Sequence, residues 1–595
     1  MLCRCTLDRN RLSIILLSAA TLSAAFFVPL IVKLKLVELL PAFVLNGYPH
    51  FILDGFSWYK AVAVILCGCL ATGGLLFHKG PRGVDDGLLG IIALLAILSS
   101  LFSPYRALNI WGVPYLFEGL PSSLAYVALA MAAMRLPESI VKRCLPWGIS
   151  FCLVMVAIFG ISEIAGKLLV NDPWLASWLL NTADGISPYS GFQAASFPFG
   201  NPNYMGMYSA MVWPFVLALA LTRRCLVDGI ILSSIAAGGF ALLLASMCRG
   251  GFIAAGIAVS FALIVVMLRQ RPRLINSIAL ILLHALAYRF IDHYSASRTV
   301  ERVSSVPPQF TVEIFTPPVI PAVVAPVPVP TFSKIYLEQG RLKIEGNGPL
   351  GGFTLLLERH YQAVKFMDGS YQPLAFTVGG VKEEDFEKVE LQDPRYAGLS
   401  MALHDAGVFR VLTMNGIDVA ITNWGFRIGR VGAFVTPVNG ERFSLPFADT
   451  AFSQRGYVWA YSIPLLKDTV LFGHGAGSFP FEFPNNDFIK MSSMFGVSGL
   501  VDKPHNFYIS FAHTHGVLAL IVLLVLLGRL FWIKGRSLLK GDRIARDLPY
   551  LIGSIGFLIT GISVDSTNGV GAVFWVLLGV GLQKAPAPKE KAPLI

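Results

Sequence analysis

Charge is scarce in this chain. Asp, Glu, Lys and Arg make up 14% of its 595 residues, while 55% are hydrophobic, and mean hydropathy is +0.64. That balance excludes an ordinary soluble globular chain, in which about a quarter of residues are charged. Short alternating segments of the kind that build a transmembrane β-barrel are absent. No cysteine follows Cys248, so no disulfide framework staples the long polar stretch beyond position 290. The pairs Cys3/Cys5 and Cys67/Cys69 have the wrong spacing for a zinc site. The polar regions contain no HExxH, P-loop or GxSxG motif and no carboxylate-rich metal pattern. Glu482, Asp487 and Asp502 form no evident metal cage, and no internal repeat stands out. The first apolar segment lacks a small-residue cleavage site and reads as a retained helix.

Uncharged runs of about 16 to 22 residues are present instead, long enough to cross roughly 30 Å of hydrocarbon as helix. They predict helices at 12–32, 61–78, 87–103, 122–134, 147–166, 205–222, 226–247, 250–268, 274–290, 510–533, 549–564 and 568–583. The fold class is a polytopic α-helical membrane protein with about twelve transmembrane helices. Lys and Arg collect at alternate ends of these segments, among them Arg9, Arg11, Lys79, Arg82, Arg135, Lys142, Arg143, Arg223, Arg269, Lys534, Arg536, Lys540 and Lys584. The opposite ends carry few, among them Lys33, Lys35, Lys60, Arg106 and Lys167. This bias predicts cytoplasmic termini and an external long loop. The net charge of +11 is mostly this topology signal and calls for no nucleic-acid partner.

The expected organisation is 1–290 helices, 291–332 a Pro-rich external linker, 333–450 an external β-rich inserted domain, 451–509 an external helical and loop segment, and 510–595 the last helices with a cytoplasmic tail. Proline density between Pro307 and Pro330 favours an extended strut. Strand-like runs follow at 334–345, 353–357, 372–378, 408–414, 417–422 and 432–437, with hairpin signals at Asn415-Gly416 and Asn439-Gly440. From Ser453 the period becomes helical: Arg455, Trp459, Ser462 and Leu466 predict an amphipathic helix lying on the membrane surface. Gly473-His474-Gly475-Ala476-Gly477 breaks it.

Four stretches at expected external membrane edges combine charge, amide and glycine, where ionisable groups by default mark a site. Asn201-Pro202-Asn203 forms a rigid turn before a helix, and capping alone would account for it. Arg249, followed by Gly250 and Gly251, offers a fork of donors suited to phosphate oxygens with room for close approach; as a bland alternative it snorkels to the interface. Arg455 is a second phosphate clamp or an ordinary solvated charge. His505, beside Asn506, can accept a hydroxyl proton or donate to a phosphate, or can be a structural histidine. His513 and His515 read as packing or interfacial residues. Glu118 is a lone carboxylate and a possible partner for a cation.

Taken in order, the stretches 200–206, 246–251, 455–459 with 473–479, and His505-Asn506 resemble the O-antigen ligase and polymerase superfamily of bacterial membrane glycosyltransferases, which includes protein O-oligosaccharyltransferases. The resemblance covers the membrane body and leaves out about 300–450; Cys248 stands where that family would have a serine or similar small residue. It implies a GT-C-like fold and a bacterial inner membrane. It also implies metal-independent, cofactor-free transfer of a glycan from undecaprenyl diphosphate to an acceptor hydroxyl, on lipid A-core or another surface glycoconjugate. Carried over, His505, Arg249 and Arg455 are the catalytic residues, with Asn201, Asn203, Asn506, Trp459 and Glu118 around the substrate. The implied partners are the lipid-linked donor, a glycolipid or other hydroxyl acceptor, and membrane lipid.

Two other classes compete. A transporter or flippase suits the helix count, but its polar residues would sit at the midplane on paired broken helices. An envelope sensor would not need so many helices as an anchor.

Overall fold

A computed structural model of the chain describes residues 9–40, 51–177, 194–269, 274–294, 331–485 and 494–583, apart from 224, 339–340, 361–362, 380–385, 406–409, 416, 423–424, 429–432, 435–440, 496–500 and 542. The strut expected at 307–330 and the Asn439-Gly440 turn lie outside the described residues.

Long uncharged runs can satisfy their own backbone only within a helix, and the chain does so repeatedly. The helices are α1 (Arg9–Phe26), α2 (Trp58–Phe77), α3 (Val84–Phe102), α4 (Leu120–Ala133), α5 (Leu145–Ile164), α6 (Pro202–Thr222), α7 (Leu226–Ser246), α8 (Arg249–Arg269), α9 (Leu274–Tyr294), α10 (Ala451–Leu465), α11 (Phe507–His515), α12 (Val517–Lys540), α13 (Ile544–Thr560) and α14 (Asn568–Leu582). Eight spans are long and apolar enough to cross a membrane, and α4 and α14 are shorter apolar helices. The chain is therefore polytopic and helical, with eight such spans among the described residues, and helices also form at the other four expected positions, as α4, α9, α13 and α14. In α6 every residue from Tyr204 to Thr222 is buried. It forms the centre of the bundle, against α7, α8 and α13.

The bundle has two unlike ends. At one, Arg135 pairs with Asp86 at 2.6 Å. There Asp547 also holds Lys534 at 2.9 Å and Arg546 at 2.7 Å, and Arg546 reaches the Gln583 amide oxygen. At the other end lie the starts of α4, α6, α8, α11 and α14 and the ends of α7 and α13.

Strands follow between Thr331 and Phe434. β1 to β4 (331–338, 341–348, 351–360, 363–368) form a four-stranded antiparallel sheet in sequence order, and β5 to β11 (376–378, 386–391, 401–405, 410–414, 417–422, 425–428, 433–434) a seven-stranded one. They share a core that includes Ile344, Leu355, Phe366, Met401, Leu412 and Phe426. The Asn415 turn forms as its sequence predicts: Met414 pairs with Ile417, and Asn415 takes φ 46°, as a type I′ turn requires.

Two expectations need correction. The helix at 510–533 is broken, ending at His515 and restarting at Val517, because Gly516 takes φ 101° and an added Cβ there would lie 2.6 Å from the Leu471 oxygen. The chain at 470–475 pairs with this break, Leu518 donating to the Val470 oxygen at 3.0 Å. The helix after Ser453 is not a surface-lying amphipathic one. Residues 456 to 462 are all buried, covered by Leu445, Phe447, Phe479, Phe483 and Val501.

Candidate functional site

Two turns set the arginines. α7 closes on Met247 at φ 51°, whose N–H donates to the Leu244 oxygen, and α8 begins immediately with Arg249. Gly206 on α6 is what lets α8 come so near: an added Cβ would lie 2.2 Å from the Cys248 Cβ. Asn203 and Arg249 thereby line one cavity of about 80 Å3, shared with Arg455, Ser453 and Ser563. Arg455 arrives there through three successive left-handed residues, Phe452, Ser453 and Gln454, at φ 54°, 59° and 68°. Such backbone costs about 1–3 kcal/mol per non-glycine residue and persists where surroundings impose it, typically at functional sites. Arg455 Nη1 donates to the Phe452 oxygen at 2.8 Å, and its Nε is buried without a hydrogen-bond partner among the described residues. Burial lowers its pKa, while Cys248, Asp565 and Tyr204 act to raise it.

His505 is gripped from several sides. Trp459 Nε1 donates to the Pro504 oxygen at 3.0 Å, and Lys503 Nζ to the Tyr204 hydroxyl at 2.6 Å. The Asn506 amide N–H donates to Asp565 Oδ1 at 3.1 Å. His505 itself takes φ 50°. Its Nδ1 lies 3.6 Å from Asp565 Oδ2, with the ring 38% exposed, so the nitrogen faces the carboxylate at ion-pair distance while the ring remains reachable. Burial, then Lys503 and Arg455, hold the imidazole well below its usual pKa, which keeps it neutral and able to take a proton. Asp565 is pushed up to about 6, chiefly by burial. Lys503 is raised: burial opposes its charge, but Asp502, Tyr204 and Asp565 outweigh it.

Glu118 is not a lone carboxylate. Its Oε1 accepts from the Tyr126 hydroxyl at 2.5 Å and from Ser566 at 3.3 Å. Burial pushes it up to about 7 despite those bonds. It lines a larger cavity, about 100 Å3, walled mostly by apolar side chains such as Ile92, Phe507, Phe511 and Trp575. The arginines are not part of that cavity.

Of the residues expected from sequence, Arg249, Arg455 and Asn203 meet in one cavity; His505 does not line it but faces Asp565, next to the cavity's Ser563 and Val564, and the Arg455 charge disfavours its protonated form. Three others hold the frame. The Asn201 side chain caps α6 through the Asn203 amide at 2.8 Å. Asn506 caps α11 through Tyr508 and Ile509 and donates to the Ile562 oxygen. Trp459 is buried with its indole N–H on Pro504. Their polar groups are occupied by the protein itself, so they position the site rather than line it. Sequence reading missed Asp565 and assigned nothing to Lys503. The signal for Asp565 was a carboxylate inside the short polar run 565–568, between the last two apolar segments.

Compared with known proteins, the chain matches no protein-family model, no curated protein and no solved structure.

Proposed function

We propose that the chain is a membrane glycosyltransferase moving a glycan from undecaprenyl diphosphate to an acceptor hydroxyl, on lipid A-core or another surface glycoconjugate, at the external face of a bacterial inner membrane with both termini cytoplasmic. The observation that carries this reading is the convergence of Arg249 and Arg455 on one cavity with His505 and Asp565 beside it. The basic end of the bundle, around Arg135, Lys534 and Arg546, supports a cytoplasmic assignment for that end. The motif order resembling the O-antigen ligase and polymerase superfamily supports the donor class. That likeness rests on the short motifs alone.

In the proposed reaction the acceptor oxygen forms a bond to the anomeric carbon as the bond from that carbon to the diphosphate oxygen breaks. The hydroxyl proton passes to His505, and the electron pair leaves with the diphosphate. Negative charge grows on the leaving group, and two preorganised guanidinium groups are suited to stabilise it. Asp565 orients the imidazole and offsets its positive charge once protonated.

Purified protein given an undecaprenyl-diphosphate glycan together with lipid A-core, free glycan or protein acceptors tests the proposal. Transfer to one of these is expected; an intact donor in every mixture refutes the activity. A polymerase or a protein O-oligosaccharyltransferase would use the same donor chemistry and differ in the acceptor chosen.

The pH profile follows from Asp565. Its folded pKa is raised to about 6, so the orienting carboxylate is lost as pH falls through that value. Transfer should therefore drop over the same range. Burial, Lys503 and Arg455 hold His505 well below its ordinary value. Asp565→Asn should have a low rate without the inflection. A wild-type profile flat between about pH 7 and 5 contradicts the role.

A further inference from the structure

Away from both cavities, three side chains from distant parts of the chain converge. Glu482 Oε2 lies 2.5 Å from His474 Nδ1 and 2.9 Å from His513 Nε2. One donor atom from each residue falls within 4.8 Å of the other two. The two imidazole rings cross at 82° with centroids 5.6 Å apart, so their nitrogens reach the carboxylate oxygen from different directions. We propose that His474, Glu482 and His513 bind one divalent transition-metal ion of the zinc class, which fastens the 470–483 turn to α11.

The backbone holds these ligands in place before any ion arrives. The His474 N–H donates to the His513 oxygen at 2.9 Å, and the Gly475 N–H to the Thr514 oxygen at 3.1 Å. Just past α3, Ser103 Oγ donates to the His474 oxygen at 2.5 Å, and within α3 Ser99 Oγ accepts from the Gly473 N–H at 2.8 Å. Both ligand-bearing segments are thus anchored independently of the side chains they present.

Two imidazoles and one carboxylate form a donor set that suits zinc, cobalt, nickel or copper and not magnesium or calcium. Tetrahedral ligand atoms about 2.0–2.2 Å from an ion stand roughly 3.3–3.5 Å apart, so small side-chain rotations convert the hydrogen-bonded triad into a ligand set. The His513 side chain is 2% exposed, Glu482 13% and His474 25%. The open flank at His474 admits the ion and leaves a position for water as fourth ligand. A hydrogen-bonded latch without metal is the competing reading of the same contacts.

The ion would serve structure. Ala476 and Gly477 from this turn wall the cavity that holds Glu118, and α11 starts two residues after His505. Fastening the turn to α11 therefore fixes one wall beside the proposed active site. None of the three ligands lines either cavity, so the ion takes no part in the proposed transfer.

The test uses the full chain in detergent, stripped with a chelator, loaded with zinc or cobalt, desalted and assayed for metal by mass spectrometry. About one equivalent should remain on the wild type, and the cobalt form should show the intense visible bands of a tetrahedral site. Glu482→Gln preserves shape and hydrogen bonding, and His474→Ala removes the most exposed ligand. Each should cut retention at least about tenfold. Arg455→Ala, outside the ligand set, should retain the ion, which separates this claim from the transferase proposal. A wild type that loses its metal on desalting, weak octahedral cobalt bands, or variants that retain as much as the wild type would overturn the site.

Discussion

Arg455→Ala and Arg249→Ala each lower glycan transfer by about 10²–10³-fold, the usual effect of removing one preorganised donor from a developing oxyanion, while the protein still inserts and runs as a single species. In Arg455 the buried Nε has no hydrogen-bond partner among the described residues, so a donor is in place to meet a ligand. Arg455→Lys retains the charge but loses the planar fork, so it should recover only part of the rate. Single-turnover assays on a fixed amount of lipid-linked donor read this directly. Wild-type rates in both alanine variants would remove the arginines from the chemistry.

His505→Ala should cost about 10²–10⁴-fold, the range of general-base catalysis. Its signature should differ from that of the arginines. Donor binding survives, because the diphosphate contacts remain, whereas the step that uses the acceptor hydroxyl fails. Trp459→Phe offers a graded version: it removes the indole N–H from the Pro504 oxygen and retains most of the packing. It should slow transfer less than His505→Ala and leave donor affinity unchanged. A His505→Ala enzyme that binds donor weakly, yet transfers normally at saturating donor, would make the histidine a phosphate ligand instead.

The long helices were readable because uncharged length is a strong signal. The break at Gly516 was not, since the run continues apolar on both sides and its cause is the remote Leu471 oxygen. Burial of 456–462 was hidden for a similar reason: Phe479, Phe483 and Val501, which cover it, come later in the chain. Alternating strands such as Arg410–Met414 and Ile417–Thr422 announce themselves, whereas Met401–Asp405 shows no alternation and gains its place from strands on both sides. Within the site, Arg249 stood out through its flanking glycines. Asn201 and Asn506 show the opposite outcome, because asparagine before a helix is first a cap, and the structure uses both that way. Asp565 was silent as a single carboxylate. His474, Glu482 and His513 were silent because their spacing follows no metal motif and only the fold brings them together.

The most direct measurement is binding of undecaprenyl diphosphate to the purified chain and to the Arg249→Ala/Arg455→Ala double variant. Saturable binding by the wild type, weakened on the order of a hundredfold or more in the double variant, is the predicted result. Equal binding by both proteins, or none by the wild type, would contradict the account.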